Sequence, residues 1–384
     1  MFWGLQFSLL NPALALILAA LLDATPAEIG WVLAVYNAGG FLASLVLPAY
    51  ADRRGEYLRP LLACAVLTAA LAAALASVTT LPLAVIALVV LGGPAGVGVT
   101  LLYAHLKHAG FTTSTVINVR AVVSFAWVAG PPLATLIIGR LGARAVLVAL
   151  TAIALLNVAT SAAMLTGRTR QQPTPPSSAE APDAEAPMSR ARVATVTAVF
   201  VVLQATNATV VSIMGLFVTD TLGINVMWSG AALGVAAALE IPALLAIGRL
   251  THRFSDLALI ASGCLAGVAY YAVMTVVPGP MLLLAAQVLN AWFFATIAGT
   301  GIALFQRIIP RPGLATGLFT NTRRLGAIAS GPLIALAALT PLGYRAVFAA
   351  CAVLTVAALI TIRLAGRPGA ARTTVSEMAE ARAE

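Results

Sequence analysis

Apolar residues in this chain come in runs of about 20, the length needed to cross the hydrocarbon core of a bilayer as an α-helix. The runs fall near 2–22, 28–51, 58–77, 81–104, 113–139 and 143–165, then near 193–218, 226–249, 256–277, 280–305, 313–339 and 343–362. Short stretches with Gly, Pro and Arg separate them. The pattern predicts about twelve spanning helices. Between the two sets lies QQPTPPSSAEAPDAEAP, rich in Pro, Ser, Ala and Glu, which cannot bury apolar area and predicts a flexible linker. The expected organisation is an all-α polytopic membrane protein. It has a six-helix bundle over 1–166, a linker over 167–192, a second six-helix bundle over 193–362 and a polar tail over 363–384.

The two sets repeat each other at an offset of about 200 residues. Gly130-Pro131-Pro132-Leu133-Ala134, followed by Leu141-Gly142-Ala143-Arg144-Ala145-Val146, matches Gly331-Pro332-Leu333-Ile334-Ala335 followed by Leu342-Gly343-Tyr344-Arg345-Ala346-Val347. Cys64 answers to Cys264, Arg53 to Arg253, and Gly96-x-Gly98 to Gly299-x-Gly301. Six helices is an even number, so both copies run the same way through the membrane. Parallel repeats with a substrate site at their interface are a known transporter plan.

Composition supports this reading. Of 384 residues, 61% are hydrophobic and only 9% charged, with a mean hydropathy of +0.98, whereas a water-facing surface needs roughly a quarter charged. The net charge of +9 does not indicate nucleic acid, because the arginines lie in alternate loops. Arg53, Arg54 and Arg59, Lys107, Arg168 to Arg192, Arg249 with Arg253, and Arg307 with Arg311 mark one side, and Arg140, Arg144 and Arg345 the other. By the positive-inside rule this puts the linker and both termini in the cytoplasm of a bacterial inner membrane. Cys64, Cys264 and Cys351 lie in apolar runs and are expected to be buried, without a disulfide or metal. The chain begins directly with an apolar span, without the basic stretch or cleavage site of a removed leader.

The loop after the second span reads Pro48-Ala49-Tyr50-Ala51-Asp52-Arg53-Arg54-Gly55. It resembles the signature loop of the major facilitator superfamily, with Pro48 in place of the leading Gly. The second copy has His252 where the acid would be. The resemblance implies that Asp52, Arg53 and Arg54 gate the helices, holding one conformer through charge pairs and helix ends. Within the superfamily the chain is most similar to bacterial sugar efflux transporters. That similarity is carried by the stretch from Arg120 to Ala134, by Leu239-Glu240-Ile241-Pro242-Ala243, and by QVLNAW, AGTGIALFQ and GLATGLFTN between Ala285 and Asn321. In that family the first helix begins before the position of Met1 here, which leaves roles for Gln6 and Asn11 open.

Several residues carry the candidate chemistry. Arg120, Ser124 and Trp127 share one face of the fifth span by their i, i+4, i+7 spacing. A charge at mid-membrane requires a cavity or a partner, so Arg120 above Trp127 is expected to line a polar cavity. There a guanidinium fork can bind sugar hydroxyls and an indole can stack on a pyranose. The competing reading is a structural arginine bonded to carbonyls. Asn37, Gln204 with Asn207, Gln287 with Asn290, and Asn321 offer the paired donors and acceptors that sugars need, or else hydrogen bonds between helices. Arg324 lies beside Asn321. Glu240 is the one carboxylate well inside a predicted span, and is expected either to load and release a proton or to pair with Arg120 or Arg323. Gly130-Pro131 is expected either to kink its helix or to allow close packing.

The expected function is export of sugars or sugar-like solutes by proton antiport with alternating access. A drug or other small-solute exporter of the same superfamily is the alternative. Enzymatic chemistry is not expected, because His105, His108 and His252 lie at loop edges away from carboxylates, and no cofactor is called for. A non-transporting sugar sensor is a further possibility. The expected partners are a sugar, protons and membrane lipid, with no nucleic acid, and the expected state is a monomer.

Overall fold

A computed structural model describes residues 2–109, 113–166, 190–309 and 312–365. Among them run twelve helices. They are α1 (Phe2–Leu22), α2 (Pro26–Arg54), α3 (Leu58–Ser77), α4 (Leu81–Leu106), α5 (Thr113–Leu141), α6 (Ala143–Thr166), α7 (Arg190–Thr221), α8 (Met227–Leu250), α9 (Asp256–Val276), α10 (Pro280–Ile308), α11 (Pro312–Ala335) and α12 (Tyr344–Ala365). Ten of these are long and apolar enough to span a membrane on their described residues, and Phe125–Leu141 of α5 adds a shorter apolar stretch. Only helices and closed barrels satisfy every backbone polar group in hydrocarbon, and this composition selects helices. α7 begins at Arg190, inside the stretch assigned to the linker. The rest of that stretch and most of the tail lie outside the described residues.

Local chemistry sets the helix ends. At α2, Thr25 and Glu28 form a reciprocal capping box with Pro26 in the first turn, the arrangement that satisfies two orphan N–H groups at once. The same helix stops at Gly55, whose φ of +60° is costly for any residue with a Cβ. Ser255 caps α9 through its hydroxyl, 3.3 Å from the Ala258 N–H. Arg345 donates from Nη1 to the Thr275 carbonyl at 2.6 Å and from Nη2 to the Val277 carbonyl at 3.3 Å. A guanidinium thus closes the C-terminal end of α9, where the helix dipole is negative.

Helix pairing reproduces the sequence repeat. In the first half α1 packs on α5 and α6, α3 on α4 and α6, and α2 on α4. The second half has α7 on α11 and α12, α9 on α10 and α12, and α8 on α10. Between halves, α2 crosses α11, α5 crosses α8, and α1 meets α7. Each of the first two crossings is the repeat image of the other.

Small residues make those crossings possible. Gly30 of α2 and Gly331 of α11 meet backbone to backbone, so a Cβ on either would collide with the other's carbonyl oxygen. At the second crossing a Cβ on Gly230 would strike Thr135 and lie 2.6 Å from the Pro131 carbonyl oxygen, and one on Gly234 would lie 2.7 Å from Pro132. Gly30 and Gly230 are repeat equivalents, as are Gly331 and Gly130. The Gly-Pro segments therefore serve close packing, and α5 and α11 remain helical through them.

The inter-half approaches share one end of the molecule. Gly30 on Gly331, Asn37 on Ala327, Pro131 on Gly230, Val128 on Gly234, Gly139 on Val226 and Leu16 on Gly215 all lie away from the end that carries Arg53, Arg54, Arg249, Arg253 and Arg307. Among the described residues, these close approaches bring the two bundles together at that end.

Candidate functional site

Just on the basic side of the crossings, several helices present polar residues to the space between the halves. Asn37 of α2 is half-buried and donates to Leu33 O at 2.8 Å and, across the halves, to Ala327 O at 3.3 Å. Trp127 of α5 is half-buried and adjoins Val128, whose carbonyl lies 3.0 Å from where a Gly234 Cβ would stand. Glu240 sits six residues beyond Gly234, about 9 Å further along α8 at 1.5 Å per residue. On α11, Asn321 is half-buried and stands the same six residues before Ala327. Asn207 of α7 is half-buried as well. These five residues come from five helices and from both halves. The Arg120 side chain lies outside the described residues, as does that of Ser124.

Charge in this space is asymmetric. Arg323 of α11 is the positive group that acts on Glu240, and Arg324, half-buried next to it, feels the Arg323 charge in turn. An acid on α8 thus feels the positive charge of Arg323 on α11 within the second half. Its repeat equivalent in the first half is Gly40, so symmetry does not require the acid.

Three of the amides expected to face the cavity are buried in the second bundle. Gln287 donates to Leu283 O at 2.9 Å and accepts from Asn290 Nδ2 at 3.0 Å. Gln204 is buried where α7 meets α11, with its Cβ 2.7 Å from the position a Gly326 Cβ would take. In the first bundle, Gln6 donates to Thr68 Oγ1 at 2.7 Å and accepts from Asn157 Nδ2 at 2.9 Å, tying α1, α3 and α6 together. Polar groups in such an interior need partners, and Gln6, Gln287 and Asn290 have them.

At the basic end, Asp52, Arg53 and Arg54 form the exposed last turn of α2. The Tyr57 hydroxyl donates to Asp52 Oδ1 at 2.7 Å, and the Arg54 guanidinium lies 4.7 Å above the Tyr50 ring. That hydrogen bond to a carboxylate, with burial and the carboxylate charge adding, pushes the Tyr57 phenol up to about 12. In the second half the corresponding corner is held differently. Asp256, buried at the start of α9, meets Arg307 of α10 at 3.1 Å. Tyr57, Asp256 and Asn157 are structural finds that sequence reasoning does not single out. A Tyr five residues after the loop acid and an Asp following an N-cap Ser are the available signals.

No group of three or more His, Cys, Asp or Glu that could hold a metal occurs among the described residues, and the three cysteines are buried singly.

Comparison with known proteins places this arrangement. Residues 1–330 match the family model of the Major Facilitator Superfamily. The chain is 28% identical over 341 residues to sugar efflux transporter A of Dickeya chrysanthemi, covering 87% of this chain and 86% of that one. It is also 28% identical over 366 residues to sugar efflux transporter B of Salmonella typhimurium, covering 94% and 92%. Among solved structures, the crystal structure of the nucleoside transporter NupG superposes with a TM-score of 0.77 at 15% identity, covering 96% of this chain and 98% of that one. Both halves, their crossings and their repeat follow one plan: this chain is a transporter and belongs to the major facilitator superfamily.

Proposed function

We propose that the protein exports sugars or sugar-like solutes (mono- and disaccharides and glycosides) across the bacterial cytoplasmic membrane by proton antiport. Both termini and the basic end face the cytoplasm in this reading, and the protein works as a monomer. The observation that carries it is similarity over most of the chain to transporters named for sugar efflux. That similarity coincides with a ring of amides and a tryptophan between the halves, rather than a cage of acids suited to cationic drugs.

Sugar enters from the cytoplasm into the open space between the bundles. Asn37, Asn207 and Asn321 exchange hydrogen bonds with its hydroxyls, the Arg120 fork adds donors, and Trp127 stacks on its apolar face. Gln204, Gln287 and Asn290 act from behind, holding the inner helices of the second bundle. Glu240 couples the cycle to protons: a carboxylate held by a guanidinium in one conformer and deprived of it in the other releases and takes up a proton in turn. Asp52, Arg53 and Arg54 gate closure at the cytoplasmic end.

The test is a panel of labelled solutes in inverted vesicles carrying an imposed proton gradient. Uptake of at least one mono- or disaccharide or glycoside, collapsed by an uncoupler, is the expected result. If every sugar stays out and an organic cation moves, the protein is a drug exporter of the same superfamily.

A further inference from the structure

On the second bundle, α8 and α9 follow each other in sequence yet both pack chiefly on α10. A groove of about 270 Å³ remains between them, lined by Leu239 and Ala243 of α8, Ala266 of α9, and Val288, Leu289 and Trp292 of α10. These walls offer no spare polar group, since the Trp292 indole N–H is directed at Ser262 Oγ, 3.3 Å away. In the first bundle the counterpart of Leu239 is Gly39, where a Cβ would lie only 3.3 Å from Val89 Cγ1, so a side chain of leucine's size does not fit there and the groove's lining is not a repeat of the first half.

Ala266 lies in the middle of α9 and Ala243 about two-thirds of the way along α8, both within the depth where the surrounding solvent is hydrocarbon. At the basic end of the groove Ile247, Leu259 and Ala295 form a buried cluster. Arg249 is exposed at the end of α8, six residues or about 9 Å of helix from Ala243, and Arg253 is exposed in the short loop that joins α8 to α9, the two helices flanking the groove. An apolar slot at acyl-chain depth thus has two exposed arginines at headgroup depth beyond its basic end. Basic residues beside a membrane attract anionic lipid.

We propose that the α8–α9–α10 groove holds one acyl chain of an anionic phospholipid from the leaflet at the basic end, with its headgroup against Arg249 and Arg253. The inference depends on the membrane placement alone, not on the transported solute.

Trp292 gives a direct readout, because bromine on an acyl chain quenches indole fluorescence only at contact. The full chain with Trp3, Trp31, Trp127 and Trp228 replaced by Phe would be placed in nanodiscs containing increasing amounts of phosphatidylglycerol brominated at mid-chain. Quenching should saturate at a few mole per cent of the brominated lipid. Brominated phosphatidylcholine should require several-fold more, and the Arg249→Ala, Arg253→Ala double variant should erase that preference. Ala266→Phe, or the milder Ala243→Leu if the first does not fold, should remove the saturable component. A parallel chain retaining only Trp31, which is 61% exposed, reports bulk lipid and should respond in proportion to mole fraction. Proportional quenching at Trp292 too, or saturation without preference for the anionic lipid, overturns the proposal.

Discussion

Glu240 and Asp52 show how differently two carboxylates are used here. Glu240 is half-buried on α8 and feels the charge of Arg323 on α11, so its charge is coupled to how α8 and α11 are placed. In the proposed cycle Glu240→Gln should abolish proton-driven efflux while leaving exchange of labelled sugar across proteoliposomes with equal pH on both sides. Full pH-driven efflux by that variant would sink the coupling role. Asp52 is anchored outside the membrane by Tyr57. Because the phenol's affinity for its proton is higher folded than unfolded, its contribution to stability is complete below its ordinary value of 10.0 and disappears as pH rises through about 12. Comparison of Tyr57→Phe with the parent should accordingly show a lower melting temperature for the variant at pH 8, and a difference that shrinks toward zero at the alkaline limit.

At the scale of elements, the helix crossings are the most constrained features. Gly331→Leu would insert a side chain where the Gly30 backbone already touches. The end of the molecule that is closed should then open, and transport should fall by about fivefold to a hundredfold, since over-packing a tight contact costs about 1–3 kcal/mol and a closure penalty of that size shifts the conformer ratio by that factor. A cross-link between cysteines placed at positions 37 and 327, which already touch across the halves, would measure it, forming readily in the parent background and poorly in the Gly331→Leu variant. Arg345→Ala tests a different kind of join. Removing two charge-assisted bonds from the end of α9 should destabilise the second bundle by about 2 kcal/mol, read as a fall in melting temperature in detergent without a change in substrate affinity. The repeat pairs Arg345 with Arg144, but Arg144 is exposed, so the matching substitution there should have the smaller effect.

For the whole molecule, the decisive fact is that the close approaches described between the halves lie at one end. A cysteine at Asn321 should react with a membrane-impermeant thiol reagent applied from the basic side and stay protected from the opposite side. The native cysteines are buried and leave a low background. Equal reactivity from both faces would contradict the closed crossing at Gly30 and Gly331. Binding a substrate that favours the other conformer should reverse the preference, because a ligand shifts such an equilibrium only by its differential affinity for the two states.

The helix positions, their alternation through the membrane and the two-fold repeat were all legible in the sequence. Each follows from local facts: runs of apolar residues, loop charges, and a spacing copied at a fixed offset. For the candidate site, helical periodicity put Arg120, Ser124 and Trp127 on one face and singled out Glu240, and of these side chains Trp127 and Glu240 lie among the described residues. Periodicity gives a face, however, and not what lies opposite it. Gln287 with Asn290 and Asn37 with Ala327 look alike as amides in apolar helices, yet the first pair is turned into its own bundle and the second joins the two halves. The Gly-Pro segments likewise admitted a kink or close packing, and only the crossing of α5 with α8 and of α2 with α11 decided for packing. Hydrophobic patterning determined that this chain crosses the membrane about twelve times in two copies. The packing of helices far apart in sequence decided which end is closed, which polar groups reach the space between the halves, and where a groove is left open to lipid.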